Sequence, residues 1–182
     1  MSKISTESNK IFLDEITPDL AVNILKKLCN QNPELIHKAQ ACAVDDLSNI
    51  DIDKVAQNVF SDLDCIDVHD LWARSGPSAY GYHDPGEMAF EMVEEVIEVH
   101  INKMREYRAL HMSNDEMKYC VGIIKGLYLF DTESKSEFSD WAPDVASETY
   151  SSVLDDWEEH SKDQNLNDNI NLLIKNHCPG WE

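Results

Sequence analysis

Lysine and arginine are the scarce residues of this chain: fifteen in all against thirty-five aspartates and glutamates, a formal charge of -20 over 182 residues. So few cations exclude the ordinary route to nucleic acid, in which basic side chains displace counterions from phosphates. Anionic membrane surfaces are disfavoured for the same reason. Long apolar runs are missing too. None approaches the roughly 18 residues that argue for a membrane-spanning helix, and Met1–Lys10 has no apolar stretch of the secretory type. The five cysteines, Cys29, Cys42, Cys65, Cys120 and Cys178, are odd in number and contain no C-x-x-C pair. Neither a disulfide framework nor a zinc knuckle is therefore expected. Cys29, Cys42 and Cys120 fall in apolar helical stretches, where a thiol acts as a small hydrophobe. These absences lead us to expect a cytoplasmic, reducing setting, no membrane association, no direct nucleic-acid contact and no cofactor.

Strand signals are missing as well: no segment alternates β-branched and polar residues between turn residues. What is present is helical periodicity, with 42% hydrophobic residues to build a core. Residues 1–12 read as a polar, frayed terminus. Thr17-Pro18 and Asn32-Pro33-Glu34-Leu35 are helix starts with proline near the first position. The short link between them predicts an antiparallel hairpin. Further helices are expected near Asp53–Leu63, around Val68–Trp72, from Asp84-Pro85 to about Arg108, from 114 to 130, over Asp144–His160 and over Asn167–Asn176. The long fifth helix is two-faced. Met88/Ala89, Met92/Val93, Val96/Ile97, Ile101, Met104 and Tyr107 form its dry side, and Glu87, Glu91, Glu94/Glu95, Glu98 and Asn102 its wet side.

The next helix differs in kind. Ser113-Asn114-Asp115-Glu116 reads as a capping box, and Met117–Phe130 is apolar or glycine nearly all round, as in a helix surrounded by others. Gly122 and Gly126 share a face and each costs about 1 kcal/mol of helix propensity. We expect them to admit a neighbouring backbone, that of the preceding long helix. The fold expected is all-α: seven or eight helices packed as antiparallel hairpins, HEAT-like or as an orthogonal bundle, around a central buried helix near 114–130. Residues 13–182 form one domain in this reading, with 74–84 as the place where it would subdivide.

Chemistry-bearing motifs are few. There is no G-x-x-x-x-G-K-[ST], no G-x-S-x-G and no Rossmann glycine pattern. Glu34-x-x-His37 is the single Glu-x-x-His, where a di-metal bundle needs two. His37 followed by His69-Asp70 and a downstream aspartate (Asp115, Asp131 or Asp140) resembles the ligand order of helical HD phosphohydrolases. In that family imidazoles and carboxylates hold cations that activate water, and the resemblance implies His37, His69 and Asp70 as metal ligands. The aromatic-rich segment 74–84 supplies the other candidate site. Arg74, Tyr80, Tyr82 and His83 lie between two helices and suit a small ligand or peptide, or else anchor the loop.

The proline-marked helix pairs of the first third resemble HEAT-like and armadillo helical-repeat proteins. Leu71-Trp72-Ala73-Arg74-Ser75-Gly76, Tyr80-Gly81-Tyr82 and Gly122-x-x-x-Gly126-Leu127-Tyr128 resemble uncharacterised prokaryotic helical regions found beside SWIM zinc fingers. The C-x-C and C-x-H ligands of the finger itself are absent. Acids cluster at Asp45–Asp70 (eight Asp, one Lys) and at Asp131–Asp163 (eleven acids, two Lys). The function expected is a non-enzymatic acidic interaction module engaging a protein partner, a basic one by charge. The alternatives are an HD-type metal-dependent phosphohydrolase and an acidic nucleic-acid mimic that inhibits a basic protein.

Overall fold

Aspartates and prolines set where the helices begin. The computed structural model describes residues 15–79 and 81–181, so the stretch 1–12 read as frayed lies outside the described residues. The chain divides into two units at Leu47–Ser48, and not within 74–84. In the first unit, α1 (Pro18–Gln31) carries proline in its first turn and α2 (Glu34–Leu47) follows after two residues. The Asn32 side chain accepts a hydrogen bond from the Glu34 amide at 3.1 Å. The two helices touch at few points and bury none of their residues. Leu20, Val22, Leu25 and Leu28 on α1 and Ile36 and Val44 on α2 are all left exposed.

The second unit contains α3 (Ile52–Asp64), α4 (Val68–Arg74), β1 (Gly76–Ser78), β2 (Gly81–His83), α5 (Pro85–Ala109), α6 (Ser113–Glu133), a 3₁₀ turn (Ser139–Trp141), α7 (Val145–Glu158) and α8 (Gln164–His177). Four of its helices open on an aspartate that accepts backbone amides otherwise left without partners. Asp51 takes those of Asp53 and Lys54, Asp67 that of His69, Asp84 those of Gly86 and Glu87, and Asp163 that of Asn165. Three acids of the two charge clusters, Asp51, Asp67 and Asp163, are therefore helix caps.

The all-α expectation holds, with one short addition. β1 and β2 pair antiparallel in the register Gly76↔His83, Pro77↔Tyr82, Ser78↔Gly81. Glycine makes this ribbon: Gly76 and Gly81 sit at φ of 99° and 141°, a region that side chains disfavour.

α6 lies at the centre, packed against α3, α5, α7 and α8. Its Met117, Cys120, Val121, Ile123, Ile124, Leu127 and Phe130 are all buried. Two expectations about this helix are corrected. Ser113 is already inside the helix and Met112 caps it without a side-chain bond, so the capping box does not form; Glu116 turns instead to Arg108. The glycines face α3, not α5. A Cβ at Gly122 would lie 2.6 Å from the Cβ of Val55, and one at Gly126 would meet Val59 and sit 2.9 Å from the Ala56 carbonyl.

Candidate functional site

α5 is 25 residues long, about 37 Å at 1.5 Å per residue. Glu87, Glu91, Glu94, Glu95 and Glu98 recur at near-helical spacing and are all exposed, while Met88, Met92, Val93 and Ile97 face the core. Phe90 lies at the border between the two sides. α7 packs along this border and contributes Glu148, Thr149 and Ser152. Together the two helices enclose a groove of about 490 Å³ with Phe90, Ile97 and Ile101 as its apolar floor and glutamates on both rims. The groove continues past Phe90 towards Glu87 and Gly86.

Two rim carboxylates are already paired with arginine. Arg74 Nη1 donates to both oxygens of Glu95 at 2.9 Å. Arg105 donates through Nη1 to Glu98 at 2.8 Å and through Nη2 to Asp156 at 2.9 Å. That second bridge ties α5 to α7 one turn beyond Ile101 and Ser152. Glu87, Glu91, Glu94 and Glu148 have no lysine or arginine partner among the described residues. Thr149 is the odd residue of the wall. It is 5% exposed, yet its hydroxyl has no hydrogen-bond partner among the described residues, although a helical threonine can bond a carbonyl one turn back. An unpaired buried hydroxyl costs about 1–3 kcal/mol.

Beneath the groove's closed end lies a charge network. Arg108 donates through Nε to Glu116 at 2.7 Å and through Nη2 to Asp156 Oδ2 at 2.8 Å, joining α5, α6 and α7. Burial pushes the Asp156 carboxyl up, but hydrogen bonds and charge from Arg105 and Arg108 outweigh it and hold the group below its ordinary value. The same contacts raise both guanidinium groups. With every charge answered inside the fold, the network is structural in character.

The residues singled out from sequence fall on several elements. Arg74 reaches the groove rim through Glu95. His83 Nε2 lies 3.1 Å from the Ser78 hydroxyl within the ribbon, and Tyr82 is 68% exposed. Tyr80 lies outside the described residues. His69 and Asp70 stand exposed on the first turn of α4, and His37 stands exposed on α2. Among the described residues no group of three His, Cys, Asp or Glu side chains gathers as a metal site.

Burial drives the Cys120 thiol far above its ordinary range. It pushes Cys178 up to about 11, against the opposing charge of Lys125. Neither is a thiolate nucleophile at neutral pH. The Trp72 and Trp141 rings meet edge to face at 4.5 Å, joining α4 to the 3₁₀ turn.

Sequence reasoning missed the α7 wall of the groove, the Arg108 network and the buried His100, whose Nε2 lies 2.9 Å from Asp62 Oδ2. Phe90 was the one legible signal, a large apolar side chain among glutamates. No helix among the described residues is long and apolar enough to cross a membrane. No protein-family model, curated protein or solved structure matches this chain.

Proposed function

We propose that the protein is a non-enzymatic interaction module whose carboxylate-rich surface engages a basic protein. One observation carries this reading. Residues 48–181 hold ten lysines and arginines against twenty-seven aspartates and glutamates. Six of the ten, Arg74, Lys103, Arg105, Arg108, Lys118 and Lys125, are already bound to the chain's own carboxylates. Most acids are thus left to counterions, or to the cations of another molecule. Complementary charge speeds encounter and selects partners by sign.

Peptides of equal length, one lysine- and arginine-rich and one acidic, test the reading against the full chain by fluorescence anisotropy. The basic peptide binds, and its affinity falls as salt rises from low to physiological concentration. Equal binding of both peptides, or an affinity indifferent to salt, overturns it.

A further inference from the structure

We propose that the groove between α5 and α7 seats an amphipathic, arginine-bearing segment of a protein partner. Its apolar side chains rest on Phe90, above the buried Ile97 and Ile101, and its arginines pair with Glu91, Glu94 and Glu148. This deepens the basic-partner reading and rests on it. Three features of the groove choose this occupant over a simple cation.

Phe90 is part-exposed in the groove above the buried Ile97 and Ile101, and a polyamine or metal ion would leave it uncovered. An amphipathic segment covers it with side chains at i, i+3 or i+4, and i+7, the pattern of helix-in-groove recognition. The rims are glutamates whose affinity for guanidinium is visible in place. Two of the chain's own arginines, Arg74 and Arg105, already sit on the neighbouring Glu95 and Glu98, while Glu91, Glu94 and Glu148 have no such partner among the described residues. Thr149 then supplies a feature that charge does not explain. The residue lies in the wall and is 5% exposed, and its hydroxyl has no partner among the described residues. Guanidinium carries five N–H donors in a planar fork, enough to pair with a rim carboxylate and still donate to this oxygen. Arg105 closes the groove at one end by bridging Glu98 to Asp156, so a segment enters from the side of Gly86 and Glu87.

The test uses the full chain and a synthetic amphipathic peptide with leucine and arginine at helical spacing, followed by fluorescence anisotropy. Three chains are compared with the parent: Glu91→Gln/Glu94→Gln/Glu148→Gln; Thr149→Val; and Asp131→Asn/Glu133→Gln/Glu137→Gln, which removes three exposed carboxylates elsewhere. Circular dichroism confirms that each is folded. The groove variant lowers affinity about tenfold or more and Thr149→Val about threefold, whereas the distant variant changes it less than twofold. A peptide with serine in place of leucine binds at least tenfold more weakly. Equal loss in the groove and distant variants, or equal binding of the serine peptide, overturns the groove and leaves the basic-partner reading standing. Failure of every cationic peptide to bind at low salt overturns both.

Discussion

Asp156 ties two helices together through one carboxylate. It receives Arg105 and Arg108 from another helix and is one-fifth exposed at its side chain. Its folded pKa lies below the ordinary carboxylate value, so its stabilisation is fully present above the unfolded value of about 3.9 and is lost as pH falls through the folded one. At neutral pH Asp156→Asn is expected to cost about 1.5–3 kcal/mol, the worth of hydrogen bonds to a charged group. Urea unfolding from about pH 7 down to about pH 2 should show the gap between variant and parent closing at the acid end. A constant gap would contradict the assignment. None of this was legible beforehand: Arg105 and Arg108 precede Asp156 by 51 and 48 positions, and no local pattern pairs them. The opposite case is Glu116. Its place after Ser113 fits a capping box, but the Arg108 guanidinium is a stronger partner than a backbone amide.

Helix positions and types were readable because each helix carries its own periodicity. Asp51, Asp67, Asp84 and Asp163 cap four of them by local hydrogen bonds, of which only Asp84 was read from sequence; Asp163 opens α8 at Gln164, three residues before the expected Asn167. The central role of α6 was readable too, since only a surrounded helix is apolar on every side. Which helix its glycines admit was not, because Gly122 and Gly126 announce a close approach without naming the neighbour. The neighbour is α3, through Val55 and Val59. Alanine at Gly126 would gain about 1 kcal/mol of helix propensity and still drive a methyl into Val59 and the Ala56 carbonyl. We expect Gly126→Ala to destabilise by about 1–3 kcal/mol through overpacking, and Gly126→Leu by more. An unchanged melting temperature in either variant would mean that the two helices are not held this closely.

Across the whole molecule the charge is lopsided, and like charges oppose the folded state. Raising salt from about 0.01 M to about 0.15 M shortens the screening length from about 30 Å to about 8 Å. The melting temperature should then rise by several degrees, since a domain of this size gains about 2–4 °C per kcal/mol. A fall would show that screening of ion pairs such as Lys125–Asp53 outweighs the relief of repulsion.

Composition and periodicity by themselves determined the helical class, the buried place of the 114–130 segment and the acidic surface. Each is a property of one stretch of chain or of a simple sum over it. The groove, the arginine–carboxylate network and the glycine contacts were decided only by tertiary structure, because they join side chains that meet when particular helix faces are laid together. Phe90 and Thr149 are 59 positions apart, and nothing local in either neighbourhood specifies the wall that the other supplies.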